Sequence, residues 1–254
     1  MASRLEEITK KTAEGIETTA GALAMVANRV HQYTPNHLVI EAIGKIYAYK
    51  IVLLGEFLKT ELPDGLSAIY PAMGEQEDIW FALPGLKSLA VLDASNAPTS
   101  YLSIAAETKV GFSYKSKRIE SIVPSDMNDY NLLIDKHSIE LVDLANNNVS
   151  GPEGAPKVTS EQVWHNIIAG LQPNSIVLHF ADTSKYAKFL GEHLERVAVP
   201  PEIYTLLTKS NYPDDRDRFF DFARDINYRT LFGSRWDFFG LRNFGSELHI
   251  FKKR

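Results

Sequence analysis

The chain contains no cysteine. That excludes disulfides and thiolate metal sites, and it suits a reducing compartment. Its longest apolar runs fall well short of the roughly 20 residues a membrane span needs. Residues 1–18 mix Glu and Lys and do not read as a secretory signal, so the expectation is a cytoplasmic, intracellular protein. Basic excess is also missing. The net charge is −5 and the pI about 5.8, which argues against a protein basic all over, although a local basic face at Lys109, Lys115, Lys117 and Arg118 is present. There is no G-x-S-x-G elbow, which argues against a serine hydrolase. The seven histidines show no ligand spacing, so no metal is expected.

What is present is a well-stocked core. The 254 residues are 44% apolar, enough for one globular domain with an appended piece. Leu5, Ile8, Ile16, Leu23, Val26 and Val30 predict an amphipathic helix over 2–31. Asn36 can cap a second, strongly apolar helix over about 37–60, inside which Lys50 lies. The expected division is a helical extension over 1–62 and an α/β domain over 63–254. Residues 66–87 look irregular, with Pro71, Gly74, Pro84 and Gly85. From there strand-like and helix-like runs alternate. Strands are predicted at 89–93, 110–114, 119–123, 139–144, 175–180, 203–207 and 247–252, and helices near 99–106, 128–134, 159–171 and 184–197. Such alternation predicts a mostly parallel sheet with helices on both faces. An insert at about 209–245 interleaves phenylalanines and Trp236 with Arg224, Arg229, Arg235 and Arg242. It reads as a lid or satellite core, or as a surface on which bases stack.

Polar residues gather where predicted strands end: Asp93, Asp126, Asp143 and His179, with Glu247 opening the last strand. Open α/β sheets bind ligands outside that edge. Asp93-Ala94-Ser95-Asn96-Ala97-Pro98-Thr99-Ser100 resembles the D-L-G-A-A-P-G-G cofactor loop of the FtsJ-type ribose 2′-O-methyltransferases. Lys50 falls where that family carries a helical lysine. Pro124-Ser125-Asp126 is similar to its Q-G-D segment, and Asp143-Leu144-Ala145 with Asn147–Gly151 to its D-M-A-P-N-M-S-G segment. Ser246-Glu247-Leu248-His249 matches its closing strand.

The resemblance implies a Rossmann-like sheet with an antiparallel last strand, S-adenosylmethionine as cofactor and RNA as substrate. It implies catalytic roles for Lys50, Asp143, His179 and Glu247, and cofactor contacts from Asp93, Ser95, Asn96, Pro98, Thr99, Ser113 and Asp126. In that chemistry a positioned base accepts the ribose hydroxyl proton as the sulfonium methyl transfers. The sequence departs from the pattern in telling places. His179 stands where the family has its second lysine. Side chains replace the glycines of the loop. Ser113 or Tyr114 stands where an acid should hold the cofactor ribose. These departures imply weakened or lost catalysis and a binding or regulatory role in an RNA-processing or capping assembly, cellular or viral. The protein contacts expected are through the N-terminal helix or the 209–245 insert, with no membrane contact. The alternative is an active methyltransferase using the same residues.

Overall fold

A computed structural model describes residues 51–71, 73, 80–81, 83–94, 99–136, 138–140, 142–143, 158–180, 184–201 and 248–254. Seven strands form one sheet: β1 (Leu66–Pro71), β2 (Leu86–Asp93), β3 (Gly111–Ser116), β4 (Leu132–Lys136), β5 (Ile176–Phe180), β6 (Glu195–Arg196) and β7 (Leu248–Lys252). Their order is β3-β2-β1-β4-β5-β7-β6. The pairs among β1 to β5 are all parallel, whereas β7 runs antiparallel to both β5 and β6. This is the α/β architecture expected, a mostly parallel Rossmann-like sheet with its last strand reversed.

Helices cover both faces. Residues 51–61, here α1, and α2 (Thr99–Thr108) pack on one face through Ile51, Leu54, Phe57, Leu58, Tyr101 and Ile104. On the other face lie α3 (Ser160–Gly170) and α4 (Ser184–His193). The buried positions of α3 include Ser160, Val163, Trp164, Ile167 and Ile168, the three-and-four spacing of a helix with one apolar stripe. Thr159 and Gln162 close a reciprocal capping box at its start: the Gln162 amide donates to Thr159 Oγ1 at 3.2 Å, and the Thr159 amide to Gln162 Oε1 at 2.8 Å. All five residues of β5 are buried, as befits an interior strand covered on both faces.

Three of the sequence expectations are corrected. The first strand is Leu66–Pro71, inside the stretch read as irregular. It is central and almost wholly buried, so it lacks the alternation that marks a half-exposed strand. Asp93 therefore ends the second strand, not the first. Residues 119–123 are not a strand, and neither are the described residues of 139–144, which form turn and helix. The former holds a short 3₁₀ turn over Ile119–Ser121, followed by another over Pro124–Asp126. The fourth strand is Leu132–Lys136, where a helix near 128–134 was expected. Asn131 explains its placement. Its side chain accepts from the Ser67 amide and donates to the Gly65 carbonyl, both at 2.8 Å, so it fixes the start of β4 beside β1. The predicted strand 203–207, the N-terminal helix and the 209–245 insert lie outside the described residues.

Candidate functional site

The chain order places β1 and β4 side by side while β2 and β3 extend one way and β5 the other. That reversal puts a topological switch point at the carboxyl ends of β1 and β4, the edge at which ligands of such sheets bind. Asp135, the fourth residue of β4, pairs across the ladder with His179 of β5. Paired residues on neighbouring strands project to the same face, and here the two side chains meet. His179 Nδ1 stands 2.7 Å from Asp135 Oδ2, and both side chains are 0% exposed.

A carboxylate can only accept, so Nδ1 carries the proton and Nε2 is left as an acceptor. Asp135 Oδ1 accepts from the backbone amides of Ser138 and Ile139, at 3.1 and 3.2 Å. Three donors thus compensate the burial of this carboxylate, as a buried charge requires. Around the imidazole lie Glu140 Oε1, 4.0 Å from Nε2, the Trp164 ring at 5.6 Å edge-on, and the His249 ring at 6.3 Å. The Arg196 guanidinium donates to His249 Nδ1 at 3.2 Å. Burial first, then the neighbouring His179 and Arg196, hold His249 below the ordinary imidazole value.

Asp143 is not at a strand end. It sits in a helical turn beyond β4 and serves as a tie. Its Oδ1 accepts from the Ser160 amide at 2.8 Å, and its Oδ2 from the Tyr186 hydroxyl, with Lys185 Nζ 3.6 Å away. It thereby joins the first turns of α3 and α4. Partial burial works to raise its pKa, but the bonds from Ser160 and Tyr186 and the Lys185 charge outweigh it, and the carboxyl titrates below its usual value.

Asp126 is likewise engaged. Its Oδ2 pairs with Lys117 Nζ at 2.5 Å and accepts from the Val123 amide at 2.9 Å. Partial burial is outweighed by these contacts, and the pKa is lowered. Of the other bases in the local basic patch, Arg118 lies 3.6 Å from Glu120, and Lys115 is exposed on the edge strand β3.

The remaining expected residues divide plainly. Asp93 ends β2 half-buried, and its carbonyl accepts from the Lys117 amide at 2.8 Å. Ser113 pairs with Ala90 in mid-strand and is exposed. The strand continues to Ser116 beside Asp93, so Ser113 misses the ligand edge expected of it. Thr99 opens α2. Lys50, Ser95, Asn96, Pro98 and Glu247 lie outside the described residues. The structure thus brings His179 to the edge with a partner the sequence reading missed, Asp135. Its signal was Leu132-Leu133-Ile134-Asp135, an apolar triplet closed by an acid. A run that short does not distinguish strand from helix by periodicity.

No family model matches the chain, and no curated protein matches it. Among solved structures it is similar to the N-methyltransferase NodS of Bradyrhizobium japonicum WM9, with 16% identity over 60% of this chain and 76% of that one, at a TM-score of 0.33. It is also similar to the YcgJ protein of Bacillus subtilis, with 11% identity over 80% of this chain and 94% of that one, at a TM-score of 0.37. Neither carries the fold assignment, which rests on strand order and direction. Among the described residues no helix is long and apolar enough to cross a membrane.

Proposed function

We propose that the chain is a divergent methyltransferase-like domain of the RNA ribose 2′-O-methyltransferase type. It receives a nucleoside ligand of the S-adenosylmethionine class at the β1/β4 edge. It acts as a binding or regulatory unit in an RNA-processing or capping assembly rather than as an efficient enzyme. The observation that carries this is the employment of the acids. Asp143 ties two helices together. Asp135, which holds the strand-end place Asp143 was to fill, is occupied by two amides and an imidazole. A base must come within hydrogen-bond reach of the hydroxyl it deprotonates, and His179 is wholly enclosed. When bound, the cofactor would supply the methyl group. Asp93 stands at the edge for its ribose, one strand away from the role the resemblance gave it.

One observation favours a second reading, in which the domain is an active methyltransferase. A carboxylate that holds an imidazole in one tautomer is how general bases are oriented, and Asp135 does this for His179. The test is calorimetric titration with S-adenosylmethionine, followed by transfer of labelled methyl groups to capped and ribosomal RNA. Binding without transfer is the expected result. Transfer abolished by His179→Gln would overturn the proposal in favour of the enzyme, and no binding at millimolar cofactor would refute both.

A further inference from the structure

On the outer side of the helical layer, two histidines from different helices face each other. His165 of α3 and His193 of α4 have ring centroids 5.2 Å apart with planes at 81°. Both residues are exposed. His193 Nδ1 lies 2.9 Å from the Phe189 carbonyl one turn back. A carbonyl can only accept, so Nδ1 carries a proton, and the lone pair of the neutral ring is on Nε2. Such a bond is how proteins orient a metal-ligating imidazole. Phe189 packs against both rings, at 5.1 Å from His165 and 4.4 Å from His193, and restricts them.

We infer that His165 and His193 form a two-histidine site for a borderline divalent transition-metal ion such as Zn²⁺ or Cu²⁺. Zinc–imidazole bonds are about 2.0–2.1 Å, so two rings on one tetrahedral ion have centroids about 5 Å apart, close to the separation seen. Among the described residues no cluster of three or more His, Cys, Asp or Glu is placed to hold a metal. The two imidazoles are the protein ligands that the described residues offer, and water completes the shell. Exposure helps, because the ion keeps part of its hydration. Glu161 lies one turn before His165 on α3 and is 3.8 Å from Lys185, so the local charge is mixed. The helices are already joined at their first turns through Asp143, which presets the seam before metal arrives. A bound ion would clamp α3 to α4, the two helices over the Asp135–His179 pair. Sequence spacing could not reveal the site, because its ligands lie on separate helices with β5 between them.

Zinc chloride titrated into the full chain by calorimetry tests this, alongside His165→Gln and His193→Gln, two exposed substitutions. A site at this seam predicts that each variant loses more than about tenfold in zinc affinity for one equivalent, that Cu²⁺ binds more tightly than Zn²⁺, and that Mg²⁺, which prefers oxygen ligands, does not compete. Zinc should also raise the melting temperature of the parent and not of the variants, because binding to the folded state stabilises it. Unchanged zinc affinity in both variants, or no zinc binding by the parent at millimolar concentration, would overturn the inference. The His31, His37, His137, His179 and His249 side chains remain in both variants and so serve as internal controls.

Discussion

Gly170→Ala sets two effects of opposite sign against each other. Alanine is the better helix former by about 1 kcal/mol in a helix interior, and propensity alone predicts a gain. Gly170 is the last residue of α3, where that gain is smaller. A Cβ built there would stand 1.9 Å from the Pro124 carbonyl oxygen, 2.6 Å from its carbon and 2.8 Å from its Cα. No rotamer relieves this, since the obstacle is backbone and alanine has no rotamers. The oxygen would have to retreat by more than an ångström to reach ordinary contact. Pro124 opens the turn that seats Asp126 against Lys117, and Asn166 of α3 donates to the Ile122 carbonyl beside it at 3.0 Å. The displacement therefore strains a seam already pinned at several points. Overpacking of this kind costs about 1–3 kcal/mol and sometimes more. With the propensity gain subtracted, the expected loss is about 2 kcal/mol, or about 4–8 °C in melting temperature for a domain of this size. The control is Gly191→Ala in α4, where the nearest atom to a new Cβ is Phe251 Cε1 at 3.8 Å. Propensity should win there, with a gain of about 0.5–1 kcal/mol. Scanning calorimetry on both variants decides the matter. A melting temperature for Gly170→Ala equal to or above the parent would refute the close approach of α3 to Pro124.

Two further outcomes follow from the polar ties. Asp143→Ala should lower stability by about 2 kcal/mol, the scale of hydrogen bonds to a charged acceptor, measured by urea denaturation. Asp143→Asn should lose less, because Oδ1 still accepts from Ser160; equal stability of all three proteins would remove Asp143 from its structural role. His249 gives a pH signature. Its folded pKa lies below the 6.5 of a free imidazole, so the unfolded chain binds the extra proton first. Its contribution is complete above about pH 6.5 and is lost as pH falls towards the folded value. Melting temperatures taken from pH 7.5 down to pH 5 should decline, and His249→Gln should flatten that decline; a parallel decline in both would assign the effect elsewhere.

The alternation of strands and helices was legible from 160 to 193 because amphipathic spacing, caps and turns agree there, whereas β6 (Glu195–Arg196) falls inside the helix expected to run to 197. Thr159 and Gln162 mark the start of α3, and Leu171 to Ser175 mark the turn into β5. The sheet centre was less legible, and for a physical cause. β1 and β4 are short and enclosed on both faces, so their sequences carry no period. Missing β1 moved the next two strands one place along the resemblance, until the strand wrongly expected at 119–123 restored the count, and Asp93 was assigned to a loop one strand too early. The polar residues at the edge were visible individually. Their employment was not, because Asp135 meets His179 only through the β4–β5 register, and Asp143 meets Tyr186 only when α4 packs beside α3.

The insertion of β7 between β5 and β6 has a consequence for biosynthesis. Phe180 ends β5 and Leu248 begins β7, so the chain must grow by 68 residues to pass from one to the other. At about 5–20 residues per second the ribosome needs roughly 3–14 s to supply the missing neighbour. During that interval β5, an apolar strand of Ile, Val, Leu, His and Phe, lacks its final partner along one side. Unpaired strand edges invite adhesion to other chains, so this window is where a nascent copy is most exposed to aggregation and most in need of a chaperone.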